Sequence, residues 1–182
     1  MRRLALVFAV LLATLPVVAL QGPGAAIDAA TVQDVFLGDS SWHVSLDLRC
    51  PVAEDFELRL PVSFTFNGKA VLTESGMQLV YRPWEGGLFM GLSLVQLGFL
   101  AGDTVAGATC TGLNEVFAGY TFRLSDGLVI EPSVTVRDPS GTYVEEYSLL
   151  KGEFPCYSRF RIRLSVGYQM DRMPRWMSAE ED

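Results

Sequence analysis

Lysine, histidine and cysteine are all scarce in this chain, and after residue 20 it has no long apolar run. Lys69 and Lys151 are its two lysines, and every other cation is an arginine. Water-soluble β-proteins guard exposed strand faces and edges with lysine, so this scarcity argues against a fully solvated sheet. His43 stands alone as a histidine, and Cys50, Cys110 and Cys156 are far apart. With no clustered Cys and His set, no metal site and no cofactor are expected. The formal charge of −7 argues against a nucleic-acid partner, and none is expected. Without a later stretch of membrane-helix length, any crossing of a membrane must be made by strands.

The first residues have the form of a signal peptide. Arg2 and Arg3 form a basic start, residues 4–15 an apolar stretch, and Pro16 a helix break before the small residue Ala19. The expected division is a signal peptide over 1–19, one domain over 20–170 and a short tail over 171–182. An uncleaved anchor is the competing reading, because residues 4–20 reach the lower limit of a spanning helix. Losing Arg2 and Arg3 would move the charge from −7 to −9. No cysteine precedes Cys50, which excludes lipidation of a cysteine at the start of the exported chain.

From Trp42 onward the dominant pattern is alternation. Trp42, Val44, Leu46 and Leu48 alternate with His43, Ser45, Asp47 and Arg49, and residues 56–66 repeat the pattern after a turn at 51–55. That period of two predicts a hairpin of long strands. Further strands are expected at 77–82, 88–97, 115–123, 128–136 and 159–170, with a weaker first one at 25–37. Segments 67–76, 98–114 and 138–158 read as long loops, whereas 51–55, 83–87 and 125–127 read as short turns. Eight strands joined by alternating short and long connections predict an all-β fold, a closed antiparallel up-and-down barrel that is transmembrane. The termini, short turns and tail would then lie in the periplasm.

Alternation alone leaves open which face is outside. A soluble, lipocalin-like periplasmic carrier also alternates. Two features favour apolar residues outside. The polar face carries Asp47, Arg49, Glu57, Arg59, Arg82, Arg123, Glu131, Arg161 and Arg163, a mixed-sign set able to neutralise itself in a narrow lumen. Arg161 and Arg163 are expected to meet carboxylates such as Glu131 on the neighbouring strand. The apolar face places Phe56, Tyr81, Phe122 and Tyr168 at one end and Trp42, Phe66 and Phe160 at the other, as two aromatic girdles. A strand over 56–66 spans roughly 36 Å, or about 25 Å of membrane at a tilt near 45°.

Residues 81–94 (YRPWEGGLFMGLSL), 119–132 (GYTFRLSDGLVIEP) and 161–170 (RIRLSVGYQM) resemble small bacterial outer-membrane barrels of the OmpA, OmpX and OmpW type. The resemblance covers about 130 residues and implies an integral outer-membrane location, contact with outer-membrane lipid and delivery by the outer-membrane insertion machinery. Such proteins usually end on an aromatic residue of the last strand, and Met170 holds that place here. Two functions remain open: a structural or interaction barrel whose long loops meet extracellular partners, and a narrow pore or an OmpW-like channel for small hydrophobic molecules. Eight strands leave an interior just wide enough for side chains, which favours a filled lumen over an ion path.

His43, near Ser45 and Asp47, has the company that ester hydrolysis requires. It is expected to point away from lipid, however, as a hydrogen-bonded lumenal histidine, and no catalytic residue is assigned. Cys110 and Cys156 fall in the two longest loops at one end, where export permits a disulfide, while Cys50 lies at the other end.

Overall fold

A computed structural model of the chain describes residues 23–28, 41–83, 87–102, 109–125, 127–154 and 157–170. Its strands are β1 (Gly24–Asp28), β2 (Trp42–Ala53), β3 (Phe56–Phe66), β4 (Ala70–Tyr81), β5 (Leu88–Gly102), β6 (Thr109–Gly112), β7 (Glu115–Tyr120), β8 (Phe122–Ser125), β9 (Leu128–Arg137) and β10 (Phe160–Gln169), and α1 (Val144–Glu153) lies between β9 and β10. All pairings are antiparallel between neighbours, and β10 pairs with both β9 and β1. The sheet therefore closes on itself as an eight-walled barrel. β7 and β8 are one wall, in the same register against β9 from Glu115 to Arg123 with a shift before Ser125, and β6 extends that wall along β5 alone. Of the expected first strand, 25–28 fall in β1, and 29–37 lie outside the described residues, as do 1–22 and 171–182.

The alternation resolves with the apolar residues outside. Along β2, Trp42, Val44, Leu46 and Leu48 are exposed, while His43, Ser45, Asp47 and Arg49 are buried. Along β10, Phe160, Ile162, Leu164, Val166 and Tyr168 are exposed in the same way. A soluble barrel with an apolar lumen would have the reverse pattern. Exposed aromatics mark both ends: Trp42 lies opposite Phe66, and Phe56 stacks on Tyr81 with ring centroids 5.0 Å apart.

The segment 67–76 is not a long loop. Asn67-Gly68-Lys69 forms a tight turn, with the Asn67 side-chain oxygen accepting from the Lys69 and Ala70 amides and Gly68 at φ +85°. β4 then begins at Ala70. Its start escapes the expected pattern because the polarity is inverted there: Ala70 and Leu72 face inward and are buried, while Thr73 and Ser75 occupy the opposite face. The connections therefore do not alternate simply between short and long. Likewise 98–114 is mostly strand, since β5 runs to Gly102 and β6 resumes at Thr109. Leu97 and Phe99 point out and Leu100 points in, so both faces are apolar and no alternation is visible. The third expected loop, 138–158, contains α1.

Two irregularities have identifiable causes. A register shift between β4 and β5 leaves the consecutive Leu94 and Val95 both exposed, which rephases the rest of β5. Proline, having no amide hydrogen, interrupts ladders: the β3–β4 register skips Leu60 and Pro61, and the β7–β8 break falls across from Pro132.

Candidate functional site

The strand registers bring charge from non-adjacent walls into the lumen. Near the short-turn end, one carboxylate oxygen of Glu131 on β9 is ion-paired with Arg49 Nη2 at 2.7 Å and Arg59 Nη2 at 3.1 Å. On its other oxygen it receives Arg82 Nη2 at 3.1 Å and the Thr121 hydroxyl at 2.6 Å. Glu57 pairs with Arg59 Nε at 2.5 Å and Arg82 Nη2 at 3.4 Å. The cluster rests on an aromatic floor, as Arg59 and Arg82 lie 4.8 Å and 5.2 Å from the centroid of Phe89.

That floor depends on two glycines. Phe89 lies opposite Gly119, and Gly91 opposite Phe117, as consecutive inward pairs of β5 and β7. Each ring crosses its partner's bare backbone: a Cβ on Gly91 would meet the Phe117 ring at 2.4 Å, and one on Gly119 the Phe89 ring at 2.6 Å. Val80 joins the two rings in a small buried cluster.

Farther along the axis, Arg163 donates Nε to Asp28 at 2.8 Å and lies 3.7 Å from Asp47. This corrects the expected partner, because Glu131 is taken by Arg49, Arg59 and Arg82. Arg123, expected in the same network, is exposed on β8, outside the cluster. Arg161 lines a polar cavity of about 30 Å³ with His43, Ser45, Ser63, Gln78, Gln96 and Arg163 among its walls. That is room for one or two waters. His43 is buried there, with Nδ1 2.8 Å from the Thr65 hydroxyl.

At the loop end the lining changes from polar to apolar. Ala70, Leu72, Leu100 and Leu113 of the barrel pack against Leu150 and Phe154 of the α1 segment and against Tyr157 beyond it. The Tyr157 hydroxyl donates to Glu74, which also accepts from Ser63 at 3.2 Å, and the Arg137 guanidinium lies 3.8 Å over the Tyr157 ring. Arg137 Nε in turn donates to Glu115 at 3.0 Å. Burial, with the nearby carboxylates, holds the Tyr157 phenol well above its usual pKa against the opposing pull of Arg137, so it remains a donor. Asn67 secures the cap from below, donating to the Glu153 carbonyl at 2.6 Å, and the Tyr147 hydroxyl donates to the Asn114 carbonyl at 2.8 Å.

Sequence reasoning missed Asp28, Glu74, Glu115, Arg137 and Tyr157 as members of this interior. A signal existed for one pair: counting outward from the turn at 125–127 sets Glu115 opposite Arg137, their observed register. Tyr157 carried none, because its place depends on the fold of the cap. Cys110 belongs to β6, and Cys156 lies outside the described residues.

No protein-family model and no curated protein sequence matches the chain. Solved structures do match in fold. The N-terminal β-barrel domain of Pseudomonas aeruginosa OprF is similar at a TM-score of 0.55 and 8% identity, covering 82% of this chain and 97% of that one. The Yersinia pestis outer membrane protein Ail is similar at 0.50 and 12% identity, covering 82% of this chain and 99% of its own. At such identities the likeness is one of fold, and the fold is that of small eight-stranded outer-membrane barrels.

Proposed function

We propose that the chain is an integral outer-membrane protein of the structural or interaction class, exported by the signal peptide at 1–19, inserted by the outer-membrane assembly machinery and presenting its capped loop end to extracellular partners. The observation carrying this reading is the combination of an apolar outer face with a filled lumen. The exposed face suits lipid, and the interior holds an ion-pair cluster, a cavity with room for only one or two waters, and an apolar cap. Loops on a rigid scaffold are where recognition usually resides.

The reading is tested by extracting the outer membrane and following migration in SDS gels with and without heating. Heat-dependent migration of detergent-extracted protein is expected, whereas release from cells without detergent would point to a soluble carrier. Planar-bilayer recordings should show no large stable conductance; a persistent one would favour the pore. A disulfide between Cys110 and Cys156 belongs to the same proposal. It predicts one free thiol in the unreduced protein, and three would overturn it.

A further inference from the structure

We infer that Tyr157 is a latch between the lumenal cavity and the outside, so that lifting the α1 cap widens the cavity into an outward-open vestibule while its floor stays closed. Three independent features of the geometry lead there. Glu74, Glu115 and Arg137 line the cavity, and they are the groups that grip Tyr157 or the guanidinium stacked on it. The phenol ring therefore lies where the cavity would meet the loop end. The cap that carries it sits on the barrel through one apolar contact, with Leu150 and Phe154 wholly buried against Leu72 and Leu100, and through the hydrogen bonds of Asn67 to the Glu153 carbonyl and of Tyr147 to the Asn114 carbonyl. The floor is a separate construction: Glu131 and its three arginines draw on β2, β3, β9 and Arg82, and none of them touches α1.

The arrangement divides the lumen into a gated upper chamber and a fixed lower plug. The chamber walls offer guanidinium, carboxylate, hydroxyl and amide groups; with the cap in place they enclose room for one or two waters, and with it lifted they would suit a small polar solute from the outside. The α1 cap, with Leu150, Phe154 and Tyr157, must lift to admit it. An opening of this kind leads into the barrel and not across the membrane.

The test places a reporter in the chamber: Ser45→Cys in the otherwise native chain, reconstituted in lipid vesicles and treated with a small charged thiol reagent. Labelling is read at that residue by peptide mass spectrometry. With the latch intact, labelling should be slow, and Tyr157→Ala should raise its rate at least tenfold, with Tyr157→Phe intermediate because the ring remains and only the bond to Glu74 is lost. Leu150→Ala, which loosens the cap without touching the latch, should raise the rate less. Vesicle conductance should stay unchanged throughout. Equal rates in all four proteins, or a native-latch rate already matching that of a thiol at exposed Ser140, would overturn the inference. Should Tyr157→Ala fail to give heat-modifiable barrel, Leu150→Ala and Tyr157→Phe decide by the same criterion. Loss of heat-modifiable migration in the native chain would instead count against the membrane reading itself.

Discussion

Glu131 is the residue on which the interior depends most. It is almost wholly buried and holds three guanidiniums from different parts of the chain. Breaking a buried ion pair by removing one partner costs about 3–5 kcal/mol, because the remaining charge is stranded. Glu131→Ala should therefore lower stability by about that amount in denaturant titrations of the refolded barrel. Arg123→Ala, on an exposed arginine, should change it by less than about 0.5 kcal/mol. Both residues lie on the alternating polar face of the sequence, so alternation could place them alike; what separates them is distance from the rim, which only the closed barrel sets. Tyr157 makes a different residue-level prediction. Its phenol pKa is raised in the folded state, so its contribution is fully present below the ordinary value of about 10 and is lost as pH rises through the folded value. Thermal unfolding followed from pH 8 to 11 should show an alkaline decline that Tyr157→Phe reduces.

At the scale of elements, the long alternating strands were legible because an apolar outer face and a charged interior impose opposite chemistry on successive residues. Legibility failed where that contrast failed. The start of β4 and the end of β5 face an apolar cap on the inside, and α1 carries no clear apolar stripe, so neither a period of two nor of 3.6 emerges. The Asn67-Gly68 pair was the one local signal of the turn that joins β3 to β4. The facing phenylalanines and glycines of β5 and β7 give the prediction proper to this scale. Gly91→Ala and Gly119→Ala should each destabilise the barrel by about 1–3 kcal/mol through overpacking, measured by the midpoint of urea unfolding in lipid vesicles. Gly141→Ala serves as a contrast: no atom stands near its missing Cβ, and its φ of +68° leaves a backbone effect alone.

The molecule as a whole reads as a cylinder with its solvent preferences reversed. If the exposed apolar face meets lipid, position along the axis should set the cost of charge. Leu46→Arg, well inside the span of β2, should cost about 2–4 kcal/mol of folding stability, and Trp42→Arg at its loop end about 0–1 kcal/mol, in vesicle refolding titrations. Similar costs at both positions would argue against a bilayer around the barrel.

Among the described residues the lumen carries Asp28, Asp47, Glu57, Glu74, Glu115 and Glu131 against Arg49, Arg59, Arg82, Arg137, Arg161 and Arg163. The pairs that matter most join chain segments distant in sequence: Arg49 of β2 with Glu131 of β9, and Arg163 of β10 with Asp28 of β1. No hairpin taken alone can satisfy them. An open sheet entering hydrocarbon would carry bare guanidiniums into it, so in a membrane the last strand should reach the first before the polar face loses its water. If the barrel enters a bilayer, curling up and entering it should therefore be one concerted event.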